Sequence, residues 1–367
     1  MTEHVPVLLA ETVRALVGDP SGLYVDGTFG RGGHSRRLLA ILDADAHLIA
    51  LDADEEAFRC ASELAQQDAR VEAVRARFSE LGSHMPPGEG AAGVVLDVGV
   101  SSPQLDDAER GFSFNHDGPL DMRMDRRRDM TAADWLGSAS EGEIADVLRR
   151  FGEERHARRI AHRIALKRPL RTTAELRDVV MGASPTRARD ALRQTATRVF
   201  QAIRIHVNDE LVELDRGLDA ALAALHPGGR LAVITFHSLE HRMVRQRLRD
   251  WQQGPPAPRR LPVPTAFSPL AKTVGKGIRP NATEIAANPR SRSAVLHVAE
   301  KLSQAGANST APSHASSRGG SGAVGDGLVP SVPSTFQRLS VRQGAPGRDK
   351  PVPYEEMRLL APLEASA

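Results

Sequence analysis

The residues with the most chemical promise form a glycine-rich loop framed by carboxylates. A short apolar run, Tyr24-Val25-Asp26, leads into Gly27, Gly30, Gly32 and Gly33, and helical sequence begins near His34. Glycines at such a junction let backbone N–H groups approach a ligand closely at a helix N-terminus. A second apolar run ends at Asp52, about 20 residues further on, where folds of this kind hold a pair of ribose hydroxyls. Together these predict a nucleotide-type cofactor. The spacing Gly-x-x-Gly-x-Gly-Gly departs from the dinucleotide pattern, because Ser35 stands where its third glycine would be. The carboxylate of Asp26, just before the glycines, suits a cationic ligand. S-adenosylmethionine carries both a sulfonium and an ammonium group and is the expected cofactor, with a nicotinamide dinucleotide as the alternative.

Such a loop needs a parallel sheet behind it. Tyr24–Asp26, His47–Asp52 and Gly93–Asp97 read as strands ending in acidic residues, separated by helical stretches near Ser35–Leu42 and Asp54–Gln67. From about Asp106 to Asn208 the signals turn helical, with capping boxes at Thr131–Asp134, Ser140–Glu143 and Thr172–Glu175. The α/β pattern then resumes. A helix over Val207–Leu225 is stopped by Pro227-Gly228-Gly229, the strand Arg230–Phe236 and a helix Ser238–Trp251 follow, and Ala294–Val298 is the last strand. The expected fold is α/β: a Rossmann-like class I methyltransferase sheet over residues 1–105 and 209–301 with an inserted helical domain at 106–208. Residues 302–367, rich in Ser, Gly, Pro and Ala, read as a disordered tail.

Composition narrows the function classes. One cysteine, Cys60, excludes an internal disulfide and any cysteine-rich metal site, and suits a reducing cytoplasm. No metal is expected, and no apolar run approaches the roughly 20 residues of a membrane span. The formal charge of +2 hides an asymmetry: between Arg149 and Arg204, fifteen Lys and Arg side chains stand against five Asp and Glu. In Glu153–Lys167, Arg155, Arg158, Arg159 and Arg163 share one helical face, and Ala157, Ile160, Ala161 and Ile164 the other. The expectation is that one face packs while the other meets solvent or nucleic acid phosphate, DNA or RNA.

Longer motifs carry a resemblance. They include His4-Val5-Pro6-Val7-Leu8-Leu9-Ala10-Glu11, the glycine loop through Ser35, Leu96 through Asp106, and Arg110-Gly111-Phe112-Ser113-Phe114. Further on come Gly118 through Asp125, Phe151 through Arg155, Arg198 through Arg204, Thr235 through Arg242 and Asn288 through Ser293. In this order, over residues 4 to about 301, the chain resembles the bacterial 16S ribosomal RNA cytosine-N4 methyltransferases. The resemblance implies methylation of a cytosine amine in the decoding centre, with 16S ribosomal RNA of the small subunit as partner. It implies cofactor contacts at Gly32, Gly33, His34, Asp52, Phe78, Asp97 and Gln104. The chain departs from the family at Arg193–Arg198, where a His-Pro-Ala segment is usual, and in its tail. A nicotinamide-dependent oxidoreductase and a non-catalytic RNA-binding assembly factor are the rival readings.

The chemistry asks for more than a cofactor. A cytosine amine is a weak nucleophile, since its lone pair is delocalised into the ring, so alignment with the methyl group is the main lever. Ser102 is a candidate to contact the amine, and His237, after the strand Arg230–Phe236, to accept its proton or bind the base; a turn and a structural histidine are the plain alternatives. Stacking on the base falls to Phe112 or Phe114, because Asp97-Val98-Gly99-Val100-Ser101-Ser102-Pro103 contains no aromatic. Methylation at carbon-5 would need a cysteine nucleophile, and Cys60 lies well before that segment and reads as packing.

Overall fold

The structure, a computed structural model, describes residues 6–185, 188–254 and 267–303, all within one compact unit. The tail expected beyond Lys301 lies, from residue 304, outside the described residues.

Seven strands form one sheet: β1 (Leu23–Asp26), β2 (His47–Leu51), β3 (Val71–Val74), β4 (Ala91–Asp97), β5 (Leu225–Thr235), β6 (Ala271–Thr273) and β7 (Val295–Lys301). Their order is β3-β2-β1-β4-β5-β7-β6. The first five are mutually parallel, and β7 runs antiparallel to both β5 and β6. This is the Rossmann-like α/β sheet that the sequence predicts. Strands covered on both faces read as continuous apolar runs, and β1 and β4 are buried along almost their whole length. The order reverses between β1 and β4, and in open α/β sheets ligands gather beyond the strand ends at such a switch point.

The helices before the insertion are α1 (Leu9–Leu16), α2 (Gly33–Leu39) and α3 (Glu55–Gln67). The turn after β4 starts α4 (Ser102–Asp106), and α5 (Ala132–Ser138), α6 (Glu141–Gly152), α7 (Ala157–Leu166), α8 (Thr173–Ala183) and α9 (Arg189–Asn208) follow. The three capping boxes read from the sequence start α5, α6 and α8, with Thr131, Ser140 and Thr172 each accepting a backbone N–H. One apolar cluster, from Phe112 to Val207, belongs to the insertion, and another, from Val7 to Val298, belongs to the sheet. The chain returns through α10 (Glu210–Ala224), then α11 (Ser238–Gln253) and α12 (Ala282–Ala287). Among the described residues no helix is long and apolar enough to cross a membrane.

Two boundaries differ from the sequence expectation. The helix expected over Val207–Leu225 is split, because Asp209 adopts φ 53 and ends α9 before α10 begins. Its far end, Ala224, falls one residue short of the expected Leu225, but Pro227-Gly228-Gly229 lie inside β5 instead of between helix and strand. Leu225 pairs with Ala91, and a register shift near Gly93 absorbs the glycines. The short edge strand β6 gives no signal in the sequence.

Arg110 ties the two parts together. Its guanidinium is buried, lies 2.5 Å from Asp54 beyond β2, and donates to the carbonyls of Arg123 and Met124 in the insertion. Asp54 also caps α3 through the N–H groups of Glu56 and Ala57, and receives the Gln104 amide at 2.9 Å. Burial pushes the Asp54 carboxyl up, but the bonds from Arg110 and Gln104 outweigh it and hold it below the usual range. Removing one partner of a buried pair leaves the other charge uncompensated, at a cost of about 3–5 kcal/mol. Arg110→Ala should therefore lose stability of that order in urea unfolding followed by circular dichroism. A loss below about 1 kcal/mol, the scale of an exposed pair, would refute the assignment.

Candidate active site

Local geometry explains why the loop after β1 needs glycine. A side chain at Gly27 would press on Leu96, and one at Gly33 would collide with Pro6. The N–H of Gly27 donates to the Val95 carbonyl, and Thr28 Oγ1 accepts the N–H of Asp97 at 2.6 Å, so the loop is stitched to the end of β4. Gly30, at φ 56, donates its N–H to Asp52 at 2.8 Å. The other oxygen of Asp52 accepts the N–H of Asp54.

A cavity of about 1280 Å³ opens beyond these strand ends. Eight of the nine residues singled out from the sequence line it: Gly33, His34, Asp52, Phe78, Asp97, Ser102, Gln104 and His237. Gly32 does not. It caps α2 from behind, at φ 75, with the Phe29 ring where a side chain would go. Asp26 is corrected in the same way. Its carboxylate is buried and occupied by Ser35 Oγ at 2.6 Å and the N–H of Thr28, so it braces the loop instead of facing a ligand.

The carboxylates divide sharply. Burial pushes Asp52 up to about 7 against its two backbone hydrogen bonds, and the charges of Asp54 and Asp26 add to the shift. Asp97 is pushed up to about 8, again by burial first and then by the charges of Asp26 and Glu240. Its Oδ1 is buried with no hydrogen-bond partner, while Oδ2 lies 3.9 Å from His34 Nδ1. His34 is oriented from its other side by the Val7 carbonyl, 3.2 Å from Nε2.

Other expected residues take different tasks. Gln104 accepts the N–H of Ser101 and donates to Asp54, so its amide holds the wall in shape. His237 caps α11: Nδ1 faces the N–H of Glu240 at 3.4 Å, and Nε2 lies 2.9 Å from Glu240 Oε1. Nδ1 is thus committed to the helix cap, whereas Nε2, though close to Glu240, is buried without a hydrogen bond. Burial raises the Glu240 carboxyl, but His237 and the N–H of Phe236 outweigh it and keep it ionised. Glu210, His237 and Glu240 are grouped closely enough to hold a metal ion. The cation already there is Arg204, forked onto Glu210 at 2.7 and 2.8 Å.

The aromatic partner was misplaced by sequence reasoning. Phe112 is buried in the insertion core, and Phe114 packs edge-on against Phe200, centroids 5.1 Å apart, so neither lines the cavity. Phe236 does, half-buried at the end of β5 and across from Gly99. Its position directly before His237, at a strand end, was the available signal. Phe78 lines the cavity too, its ring seated where Gly217 of α10 has no side chain.

The donor set fits a cationic nucleoside. Backbone at Gly30 and Gly33 admits close approach, Asp52 keeps lone pairs at the end of β2, Phe78 offers a ring, and the unpaired Asp97 oxygen calls for a positive charge.

The MraW methylase family matches residues 1–302. Three relatives are each named ribosomal RNA small subunit methyltransferase H. That of Xanthomonas campestris pv. campestris (strain B100) is 50% identical over 302 residues, covering 82% of this chain and 87% of its own. That of Xanthomonas euvesicatoria pv. vesicatoria (strain 85-10) is 51% identical, covering 82% and 89%. The Stenotrophomonas maltophilia (strain K279a) protein is 50% identical, covering 81% and 93%. With half of its residues shared along nearly the full length of these proteins, the chain belongs to the MraW methylase family.

Proposed function

We propose that this chain transfers a methyl group from S-adenosylmethionine to the N4 amine of a cytosine in the decoding centre of 16S ribosomal RNA. The observation that carries the reading is the cavity itself. It joins the glycine loop to the insertion, and about 1280 Å³ exceeds what a single small ligand needs. The names of the relatives support ribosomal RNA as the substrate class. The domain division supports it too: residues 1–105 and 209–301 hold the cofactor, and 106–208 add the basic face.

When bound, the cofactor supplies an electrophilic methyl group on a cationic sulfur. Gly33, His34, Asp52, Phe78 and Asp97 would hold it, Asp52 suiting the ribose hydroxyls, Phe78 the adenine and Asp97 the positive charge. Gln104 supports them through Asp54. The target base leaves its stack to enter the remaining space, and Phe236 gives it a ring to lie on. Ser102, whose hydroxyl makes no hydrogen bond among the described residues, accepts from the amine as its lone pair turns toward the methyl group. His237 and Glu240 fix the end of β5 and hence Phe236.

Mass spectrometry of ribosomal RNA from a strain lacking this chain tests the reaction. N4-methylcytosine should disappear, return with the wild-type chain, and stay absent with Asp97→Ala. Persistence of the modified base without the chain would reject the proposal.

The raised carboxyls add a pH dependence. An acid whose folded pKa is raised binds more protons folded than unfolded. The free protein therefore loses stability as pH rises from about 4 toward 8. A cationic ligand needs Asp97 deprotonated, so its affinity should fall as pH drops below about 8. Calorimetry between pH 8.5 and 6.5 should show S-adenosylmethionine weakening on the order of tenfold. S-adenosylhomocysteine, which lacks the sulfonium charge, should weaken less, and Asp97→Asn should flatten the profile. Equal slopes for both ligands would refute the role of Asp97.

On α7, Arg158, Arg159 and Arg163 are exposed, as is Arg155 just before it, and none forms an ion pair among the described residues. Reversing these four charges should weaken binding to small-subunit RNA and lower its salt dependence by roughly one unit of log–log slope per lost phosphate contact. An unchanged slope would place the RNA elsewhere.

A further inference from the structure

Helix α9 turns Gln201, Arg204 and Asn208 toward the cavity, at the three- and four-residue spacing of one helical face. Two of the three are committed. Arg204 is forked onto Glu210, and Asn208 donates to the carbonyls of Met122 and Arg204 while accepting the N–H of Met124. Of the other polar groups on this wall, Asp125 is held by Arg127 and Glu213 by Ser79 and Arg77, while Arg128 gives Nη2 to Asp209 and keeps Nη1 buried without a partner. Gln201 differs. It is half-buried on the wall, and its side-chain amide makes no hydrogen bond among the described residues. Two donor hydrogens and two lone pairs stand unspent on a wall that a base would desolvate.

We propose that Gln201 reads the O2 and N3 edge of the target base and selects cytosine over adenine. The proposal rests on the cytosine reading above and adds to it the residue that recognises the base. Cytosine and adenine both present an amine beside a ring nitrogen acceptor, so the reacting group and its neighbour do not separate them. They differ one position further along the edge, where cytosine has the O2 acceptor and adenine a C–H. An amide N–H aimed there is satisfied by cytosine and left unpaired by adenine, and sites built to bond a polar group reject analogues that lack it. Gln201 also lies on the insertion, apart from the glycine loop that holds the cofactor. Its loss should therefore be felt in base choice and not in cofactor affinity.

The test uses small subunits from a strain lacking the chain, carrying plasmid-encoded 16S ribosomal RNA with cytosine or adenosine at the modified position. Labelled methyl transfer is measured with the wild type, Gln201→Ala and Gln201→Glu, and S-adenosylmethionine affinity is measured in parallel. Gln201→Ala should lose roughly 10- to 100-fold in kcat/KM on cytosine with cofactor affinity unchanged and no loss on adenosine. Gln201→Glu should fall further, since a carboxylate repels the lone pairs of O2 and N3. If adenosine subunits are unmethylated by every enzyme, the cytosine ranking decides: wild type above Ala above Glu supports the proposal, and any other order overturns it. Unchanged cytosine kcat/KM in Gln201→Ala, or equal losses on both bases, overturns it as well. A wild-type chain inactive on cytosine subunits would instead reject the function proposed above.

Discussion

The arrangement depends first on one buried ion pair. Arg110 and Asp54 are each about 6% exposed at the side chain, in surroundings where an unpartnered charge would be intolerable. The pair is held in place by what it joins. Asp54 belongs to the β2–α3 junction beneath the cofactor wall, Gln104 to the turn after β4, and the carbonyls of Arg123 and Met124 to the insertion. Shifting any one of these would leave a buried group unmatched. The ion pair is thus a registration device more than a source of stability, since desolvation consumes much of its attraction.

A second junction makes the insertion part of the pocket. The chain passes from α9 to α10 through a single left-handed residue, Asp209, so the two helices stay close in sequence yet change direction. Arg204 reaches across the break to Glu210, and Asn208 satisfies backbone groups of the segment that Arg110 also binds. Cavity-lining residues on α9 and Phe78, seated on α10, are therefore tied to one another through this junction.

What was legible in the sequence was local. The glycine loop, the acidic strand ends and the three capping boxes are patterns of neighbouring residues, and their physics acts within a few positions. The residues that went astray depend on how side chains fold back onto the loop or pack across the fold, which residue type and spacing do not encode. Asp26 looks like a ligand-facing carboxylate until Ser35 folds back onto it. Gly32 looks like its neighbours until the Phe29 ring fills the space behind it. Phe112 and Phe114 stand beside the motif in sequence but are drawn into the insertion core, while Phe236 arrives from a strand more than a hundred residues later. The antiparallel β7 and the short β6 are likewise set by pairing across the sheet, which no run of three to seven residues announces.

The carboxylates of the cavity then fall into two groups with opposite physics. Asp54 and Glu240 are buried against Arg110 and His237 and are held ionised, so their charge is spent on structure. Asp52 and Asp97 lack such a partner and are pushed up, to about 7 and about 8, so that both hold protons to a large extent at neutral pH. Carboxylates of the second kind are a standing cost in the free protein and would be removed by any pressure for stability alone. Their retention beside Thr28, His34 and the glycine backbone makes sense when a positively charged ligand supplies the missing partner. A carboxyl raised to about 8 is mostly neutral at pH 7 in the free site, and a positively charged ligand beside it would draw it into the ionised form.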